Sequence, residues 1–158
     1  AADEALKAMA ALGVTRAIVN AGGDVVAGDS PPGDTGWRIG IASFERDAPP
    51  KRFLRLANNA IATSGDVWQF VEIDGSRYSH ILDPRTGLGL TTRSSVTVVA
   101  PTGISADSLA SAVSVLGPES GLKLVEQLPE TEALILTAGN TNGESHSSSG
   151  FYRLLDSK

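Results

Sequence analysis

A β-hairpin in the middle of the chain restricts the fold more than any other feature. The stretch VWQFVEIDGSRYSHIL, residues 67–82, holds two alternating strand patterns on either side of the dipeptide Asp74-Gly75. Asp-Gly is typical of a two-residue hairpin turn, whose central positions need a positive φ. Strands joined by so short a turn pair antiparallel. We therefore expect antiparallel pairing in at least part of the sheet.

The remaining pattern predicts one α+β domain. Apolar residues make up 41% of the 158 residues, enough for a sizeable core. Because the strands do not alternate regularly with helices, we expect a mixed or antiparallel sheet with packed helices, not a doubly wound sheet. The predicted helices are 3–13, 105–117 (closed by Gly117) and 121–128, the strands are 15–20, 25–28, 37–42, 53–65 (as two strands), 93–101, 132–137 and 151–155, and the loops are 29–35, 43–52 and the polar, Gly-rich, mobile stretch 139–150.

Charge and composition exclude several kinds of site. The net charge is −5 and the 13 Lys and Arg residues form no dense cluster, so nucleic-acid binding is not expected. The absence of cysteine excludes disulfides, a thiol nucleophile and thiolate metal ligands. No apolar run reaches transmembrane length, and no signal peptide is present. Because the chain starts at Ala1 without Met, we expect a processed or trimmed piece of a longer protein.

The first polar motif is NAGGDV, residues 20–25, after a predicted buried strand. Gly22 and Gly23 would let the backbone bend sharply and approach a ligand closely. Exposed amides there could receive phosphate or ring oxygens. A plain turn between two strands explains the same residues.

The second motif is ATSGDVW, residues 62–68, where hydroxyls and amides cluster at a strand end. Such a cluster fits a ligand site, but Ser64 or Asp66 could equally cap a local turn. Trp68 could stack on a ligand ring or pack in the core or on the hairpin.

The third motif is YSHILDPRTG, residues 78–87. Its Asp-Pro pair and final glycine predict a type I turn, and this turn explains Asp83, Pro84 and Gly87 without a functional role. His80, Arg85 and Thr86 are left unexplained by the turn. A histidine suits proton transfer at neutral pH, although a structural histidine is the alternative. Arg85 could neutralise a phosphate or lock Asp83.

The fourth motif is SADSLAS, residues 105–111. Asp107 and Ser111 are four residues apart and share one face of a helix. A carboxylate and a hydroxyl in this arrangement form half of a site for Mg²⁺, which prefers oxygen ligands. Helix capping by Ser105 and Asp107 is the alternative.

In their order and spacing, the four motifs resemble the C-terminal half of the ApbE family, the FAD:protein FMN transferases once described as thiamine-biosynthesis lipoproteins. The resemblance runs from Leu6 to about Leu136, and SHILDPRTG and ADSLAS are its most specific parts. It implies a T-fold-like α+β architecture and a Mg²⁺-dependent reaction that splits FAD. FMN would pass to a Thr or Ser hydroxyl of a target flavoprotein, and AMP would leave.

The resemblance also assigns residues. Asp107 and Ser111 match the metal ligands, although the family more often has Thr in the second position, and His80 matches a candidate catalytic base. The implied flavin-nucleotide contacts are Gly22, Gly23, Asp24, Ser64, Gly65, Asp66, His80, Asp83, Arg85 and Thr86. A FAD pyrophosphatase, or a flavin-nucleotide-binding module without chemistry, would use the same residues.

The resemblance further implies a periplasmic or outward-facing protein with a membrane anchor outside this chain. Family members are about twice as long, and their N-terminal half carries a Met-Gly-Thr stretch and a Gly-rich segment ending in Lys-Gly. Neither lies before Ala1. We expect an excised or cleaved C-terminal portion, or a naturally short relative, whose FAD site could be incomplete.

Overall fold

A six-stranded antiparallel sheet organises the chain. The computed structural model describes residues 1–42, 49–66, 69–138 and 143–156. Its elements are α1 (Ala2–Ala11), β1 (Ile18–Ala21), β2 (Asp24–Ala27), β3 (Trp37–Gly40), β4 (Phe53–Leu56), β5 (Asn59–Gly65), β6 (Phe70–Ile73), β7 (Ser76–Ser79), β8 (Ser94–Ala100), α2 (Gly103–Val125), β9 (Glu132–Thr137), β10 (Glu144–Ser147) and a 3-10 helix (Phe151–Leu154). The sheet order is β1-β2-β5-β8-β9-β10, and β3-β4 and β6-β7 form separate hairpins. The expected α+β class is confirmed, with antiparallel neighbours throughout the large sheet.

Small side chains fill the core between the sheet and the helices. Ala60 and Ala62 of β5 face Ala106 and Ala110 of α2, and each of the four is almost fully buried. Because alanine extends only to Cβ, α2 can lie close to β5 and β8. This close approach brings polar side chains of the helix within hydrogen-bond distance of the strand beneath it.

A second core lies on the opposite face of the sheet. Leu54 and Leu56 of β4 pack there with Ile61 and the fully buried Phe151. The prediction of a strand at 151–155 is wrong, because Phe151 begins a 3-10 helix.

The prediction of a loop at 139–150 is wrong for residues 144–147, which form β10 at the edge of the sheet. Glu144 pairs with Thr137 and Ser147 pairs with Leu134. Backbone pairing with one neighbour is sufficient for an edge strand, so polar side chains are tolerated there. Residues 139–142 of the predicted loop lie outside the described part of the chain.

Helix α2 contains the first predicted helical segment, 105–117, and residues 121–125 of the second, with a kink between them. The predicted continuation to residue 128 is wrong, because the helix ends at Val125. Gly117 has φ 76° and ψ 178°, which are not helical, and Pro118 follows it. Proline suits the first position of a new helical segment because its missing N–H has no partner there. The prediction that Gly117 closes the first segment is therefore confirmed. Among the described residues, no helix is long and apolar enough to cross a membrane.

The predicted central hairpin is also confirmed. Strands β6 and β7 pair antiparallel from Phe70–Ser79 to Ile73–Ser76. Asp74 and Gly75 have φ of 50° and 75°, as a two-residue turn of this kind requires.

Candidate functional site

The β1–β2 turn borders a cleft on the sheet face opposite α2. Gly22 and Gly23 have φ of 72° and 114°, values that favour glycine, and the Gly23 N–H donates to Asn20 Oδ1 at 3.0 Å. The cleft has a volume of about 620 Å³. We call it the glycine cleft; its lining includes Asn20, Gly22, Gly23, Arg38, Thr63, Gly65 and Ser95. Three of the glycines expected at the nucleotide therefore share one concave surface.

Asp24, the first residue of β2 after this turn, faces the helix side of the sheet. Asp24 of β2 and Asp107 of α2 line a cavity of about 210 Å³. Partial burial raises the pKa of Asp24, and the nearby negative charge of Asp107 raises it further. Asp107 itself is exposed, and within the described residues no group donates a hydrogen bond to its carboxylate. Two carboxylates of like charge thus line one small cavity.

Other residues cap the helix that carries Asp107. Thr102 is the N-cap residue, and its hydroxyl accepts the Ser105 N–H at 3.2 Å. The Asp3 carboxylate of α1 accepts the N–H groups of Gly103 and Ile104 at 2.7 and 3.0 Å. The alternative interpretation of Asp107 as a helix cap is therefore wrong, since the amides it would have served have other partners.

A serine pair joins α2 to the sheet one helical turn beyond Asp107. The Ser64 Oγ of β5 lies 3.1 Å from the Ser111 Oγ of α2. Ser64 is 9% exposed, and Ser111 is partly buried. Turn capping by Ser64 is thus replaced by a contact with the helix. Both predicted metal ligands, Asp107 and Ser111, lie on the helix side of the sheet.

The chemistry of these side chains fits Mg²⁺. Asp24, Asp107 and Ser111 offer oxygen atoms, and Mg²⁺ binds through few protein oxygens plus phosphate and water. Within the described residues, no group of three or more His, Cys, Asp and Glu could hold a metal ion. A cation bound here would therefore need further oxygens from a phosphate-bearing ligand or from water.

Asp66 serves as the anchor of the central hairpin. Its side chain is 5% exposed, and its Oδ2 accepts Arg77 Nε at 2.8 Å, with Arg93 Nε at 3.7 Å. Arg77 also donates to the Asp66 backbone carbonyl and lies 3.3 Å over the Phe70 ring. No donor in the described residues reaches Asp66 Oδ1. Arg77 is not among the residues predicted from the sequence, because no local pattern links two positions eleven residues apart.

The turn after the hairpin is held by its own side chains. Arg85 Nε and Nη2 bind the Asp83 carboxylate at 2.9 and 2.7 Å, and the Arg85 N–H adds a bond of 2.9 Å. The Arg85 side chain lowers the pKa of Asp83 below its usual range. Asp83, Arg85 and Thr86 line a second cleft of about 540 Å³, which also borders α2 near Gly117 and which we call the turn cleft. In this structure Arg85 therefore holds the Asp83 carboxylate in place by hydrogen bonds.

His80 lies apart from these groups. It is exposed, and its backbone N–H donates to the Gln69 carbonyl, which also lies 3.2 Å from His80 Nδ1. His80 lines neither the glycine cleft nor the turn cleft. Trp68, the other side chain considered for the site, lies outside the described residues. Apart from His80 and the hairpin anchor Asp66, the expected nucleotide contacts are divided between the two clefts and the helix side of the sheet. The roles of all of them stay predictions.

The chain belongs to the ApbE family, whose family model matches residues 1–135. It is 35% identical over 133 residues to a Klebsiella pneumoniae (strain 342) protein named FAD:protein FMN transferase; the match covers 80% of this chain and 37% of that relative. The chain thus spans well under half the length of this relative.

Solved structures of similar proteins show the same fold. The flavinyl transferase ApbE of Pseudomonas stutzeri is 33% identical with a TM-score of 0.79, covering 97% of this chain and 48% of that one. The ApbE protein of Thermotoga maritima is 31% identical with a TM-score of 0.83, covering 97% and 49%. The chain therefore corresponds to about half of each of these structures.

Proposed function

We propose that this chain works in an FAD:protein FMN transferase, which moves FMN from FAD to a Thr or Ser hydroxyl of an acceptor flavoprotein. Membership of the ApbE family and the names of its relatives support the proposal. The observation that carries it is the placement of Asp107, which has no hydrogen-bond donor in the described residues and lies beside Asp24, one helical turn from Ser111.

The proposed reaction is a phosphoryl-group transfer. The acceptor hydroxyl attacks the phosphorus of the FMN half of FAD, a new P–O bond forms, and the bond to the AMP phosphate breaks. The hydroxyl proton passes to a base, for which His80 is the candidate, and AMP leaves with the electron pair of the broken bond. The glycine cleft, with its exposed turn at Gly22 and Gly23, would receive part of the nucleotide.

Mg²⁺ is the proposed cofactor, with Asp107 and Ser111 as its protein ligands. A divalent cation at this position would offset the negative charge of the transferring phosphoryl group. It would also neutralise the like charges of Asp24 and Asp107, whose proximity raises the pKa of Asp24. The residues therefore fit the cation both by ligand type and by charge.

The test of this function is to incubate the protein with FAD, Mg²⁺ and a candidate acceptor flavoprotein. The mass of the acceptor is then measured by mass spectrometry. The longest form in which the chain is made should be used, because its relatives are about twice as long as the part described here. The acceptor should gain one covalent FMN while AMP appears in equal amount. Asp107→Ala should abolish the gain, and Ser108→Ala, on the same helix, should retain it. Free FMN and AMP with an unmodified acceptor would instead indicate a pyrophosphatase.

The same assay tests His80. His80→Asn keeps a similar size but cannot titrate near neutral pH, so FAD binding should persist while transfer falls by roughly 10²–10⁴-fold. An unchanged transfer rate would remove His80 from the mechanism and leave it as a residue that joins the turn to the carbonyl of Gln69.

We also propose a periplasmic or cell-surface location with a membrane anchor outside these residues, on the basis of the family resemblance alone. Fractionating cells that make the native protein, with a cytoplasmic enzyme as a marker, tests this. Recovery of the protein with the cytoplasmic marker would contradict it.

A further inference from the structure

We infer that Ser64 is a positioning residue for Ser111: its Oγ accepts a hydrogen bond from the Ser111 hydroxyl and so directs the lone pairs of the Ser111 oxygen toward the cation. This inference rests on the proposed metal site. The two Oγ atoms lie 3.1 Å apart, with Ser64 on β5 and Ser111 on α2.

Other serines of the same helix show that Ser111 is held differently. Ser108 Oγ donates to the Ile104 carbonyl at 2.7 Å, and Ser114 Oγ donates to the Ala110 carbonyl at 2.8 Å. A helical serine commonly bonds to the carbonyl four residues earlier in this way. In the described residues, the contact of Ser111 Oγ is with a strand and not with its own helix. The strand therefore sets the direction of this hydroxyl.

Ser64 is well placed to fix that direction. It is 9% exposed and belongs to a central strand, where Ser64 pairs with Val96 of β8. A hydroxyl has one proton and two lone pairs, so a serine that binds a cation through oxygen must direct its proton elsewhere. Groups that accept a hydrogen bond from a metal-binding side chain hold that side chain in its orientation. Loss of such a group typically weakens metal binding by about 10–100-fold. Ser64 Oγ lies within hydrogen-bond distance of Ser111 Oγ, so it can accept this hydrogen bond.

The affinity for Mn²⁺ measures the effect of Ser64 on the metal site without any assay of catalysis. The EPR signal of the free ion reports how much Mn²⁺ is bound. Ser64→Ala should weaken Mn²⁺ binding by about 10–100-fold. Ser108→Ala removes a hydroxyl from the same helix and should leave the affinity unchanged. The thermal midpoint without metal shows whether each variant is folded, and Ser64→Cys, a weaker acceptor of similar size, provides a second test.

A double-mutant cycle separates positioning from a direct role of Ser64. If Ser64 acts through Ser111, adding Ser64→Ala to Ser111→Ala should cause no further loss of Mn²⁺ affinity. If the double variant loses Mn²⁺ affinity by the product of the two single-variant losses, the inference is overturned. A loss of FAD affinity in EDTA would also overturn it, because that would place Ser64 directly on the nucleotide.

The outcomes distinguish this inference from the proposed function. If Asp107→Ala loses Mn²⁺ binding while Ser64→Ala keeps it, the metal site stands and the role of Ser64 is wrong. If Asp107→Ala binds Mn²⁺ as well as the unaltered chain does, the metal assignment fails, and the inference fails with it.

Discussion

Asp24 is the residue whose titration reports most directly on the site. Burial is the larger cause of the raised Asp24 pKa, and the Asp107 charge is the smaller. Asp107→Asn removes only the smaller cause, so the pKa of Asp24 should fall but stay above its ordinary value of 3.8. NMR titration of the Asp24 carboxyl carbon measures this, with the exposed Glu119→Gln as a control. An unchanged Asp24 pKa would show that the two carboxylates do not interact.

The direction of the pH effect follows from this raised pKa. The folded chain binds the Asp24 proton more tightly than the unfolded chain, so the Asp24 contribution to stability grows as pH falls through the folded pKa toward 3.8. A bound Mg²⁺ favours the ionised forms and should lower the Asp24 pKa. Mg²⁺ without effect on this titration would argue against a metal beside Asp24.

At the scale of elements, the central hairpin depends on one buried ion pair. Among the described residues, Arg77→Ala leaves the Asp66 carboxylate, which is 5% exposed, with Arg93 at the longer distance of 3.7 Å. Removing the closer partner leaves a buried carboxylate whose charge Arg93 compensates only at longer range, so we expect a loss of roughly 3 kcal/mol in the free energy of unfolding. Urea denaturation measures it. The exposed Arg52→Ala should change stability by less than about 0.5 kcal/mol, and an equally small effect of Arg77→Ala would show that Asp66 does not anchor the hairpin.

The kink in α2 depends on one glycine. At φ 76° and ψ 178°, Gly117 occupies a region that other residues enter only with strain, although no atom lies near an added Cβ. Gly117→Ala should therefore destabilise the fold by about 1–3 kcal/mol through its backbone. Ser120→Ala, an exposed position in the second segment, is the matched control. Equal unfolding midpoints for the two variants would contradict the strain.

For the whole molecule, the C-terminal segment closes the second core. Phe151 is fully buried against that core, and the adjacent Tyr152 is 54% exposed. Phe151→Ala should cost about 3–5 kcal/mol of unfolding free energy, because it opens a cavity in a packed interior. Tyr152→Ala removes a half-exposed ring and its edge-to-face contact with Phe151, so it should cost about 0.5–1.5 kcal/mol. Similar losses for both variants would mean that the ring of Phe151 does not close the core.

Local patterns in the sequence determined the parts of the structure that depend on short-range chemistry. Asp74-Gly75 predicted the hairpin turn, and Gly117 predicted the end of a helical segment, because both need a positive φ that neighbouring residues cannot supply. Four-residue spacing placed Asp107 and Ser111 on one helix. The family resemblance, carried by four short motifs, indicated the α+β class and the family itself.

Only the tertiary structure decided the partners of those residues. The cap that Asp3 provides for α2, the pair of Asp66 with Arg77, and the contact of Ser64 with Ser111 each join separate elements. The segment at 151–155 had the apolar composition of a strand, yet it forms a 3-10 helix whose first residue, Phe151, is buried. Such outcomes depend on which surfaces meet after the chain has folded. Spacing along the chain carries little of that information, because the contacts form between residues far apart in sequence.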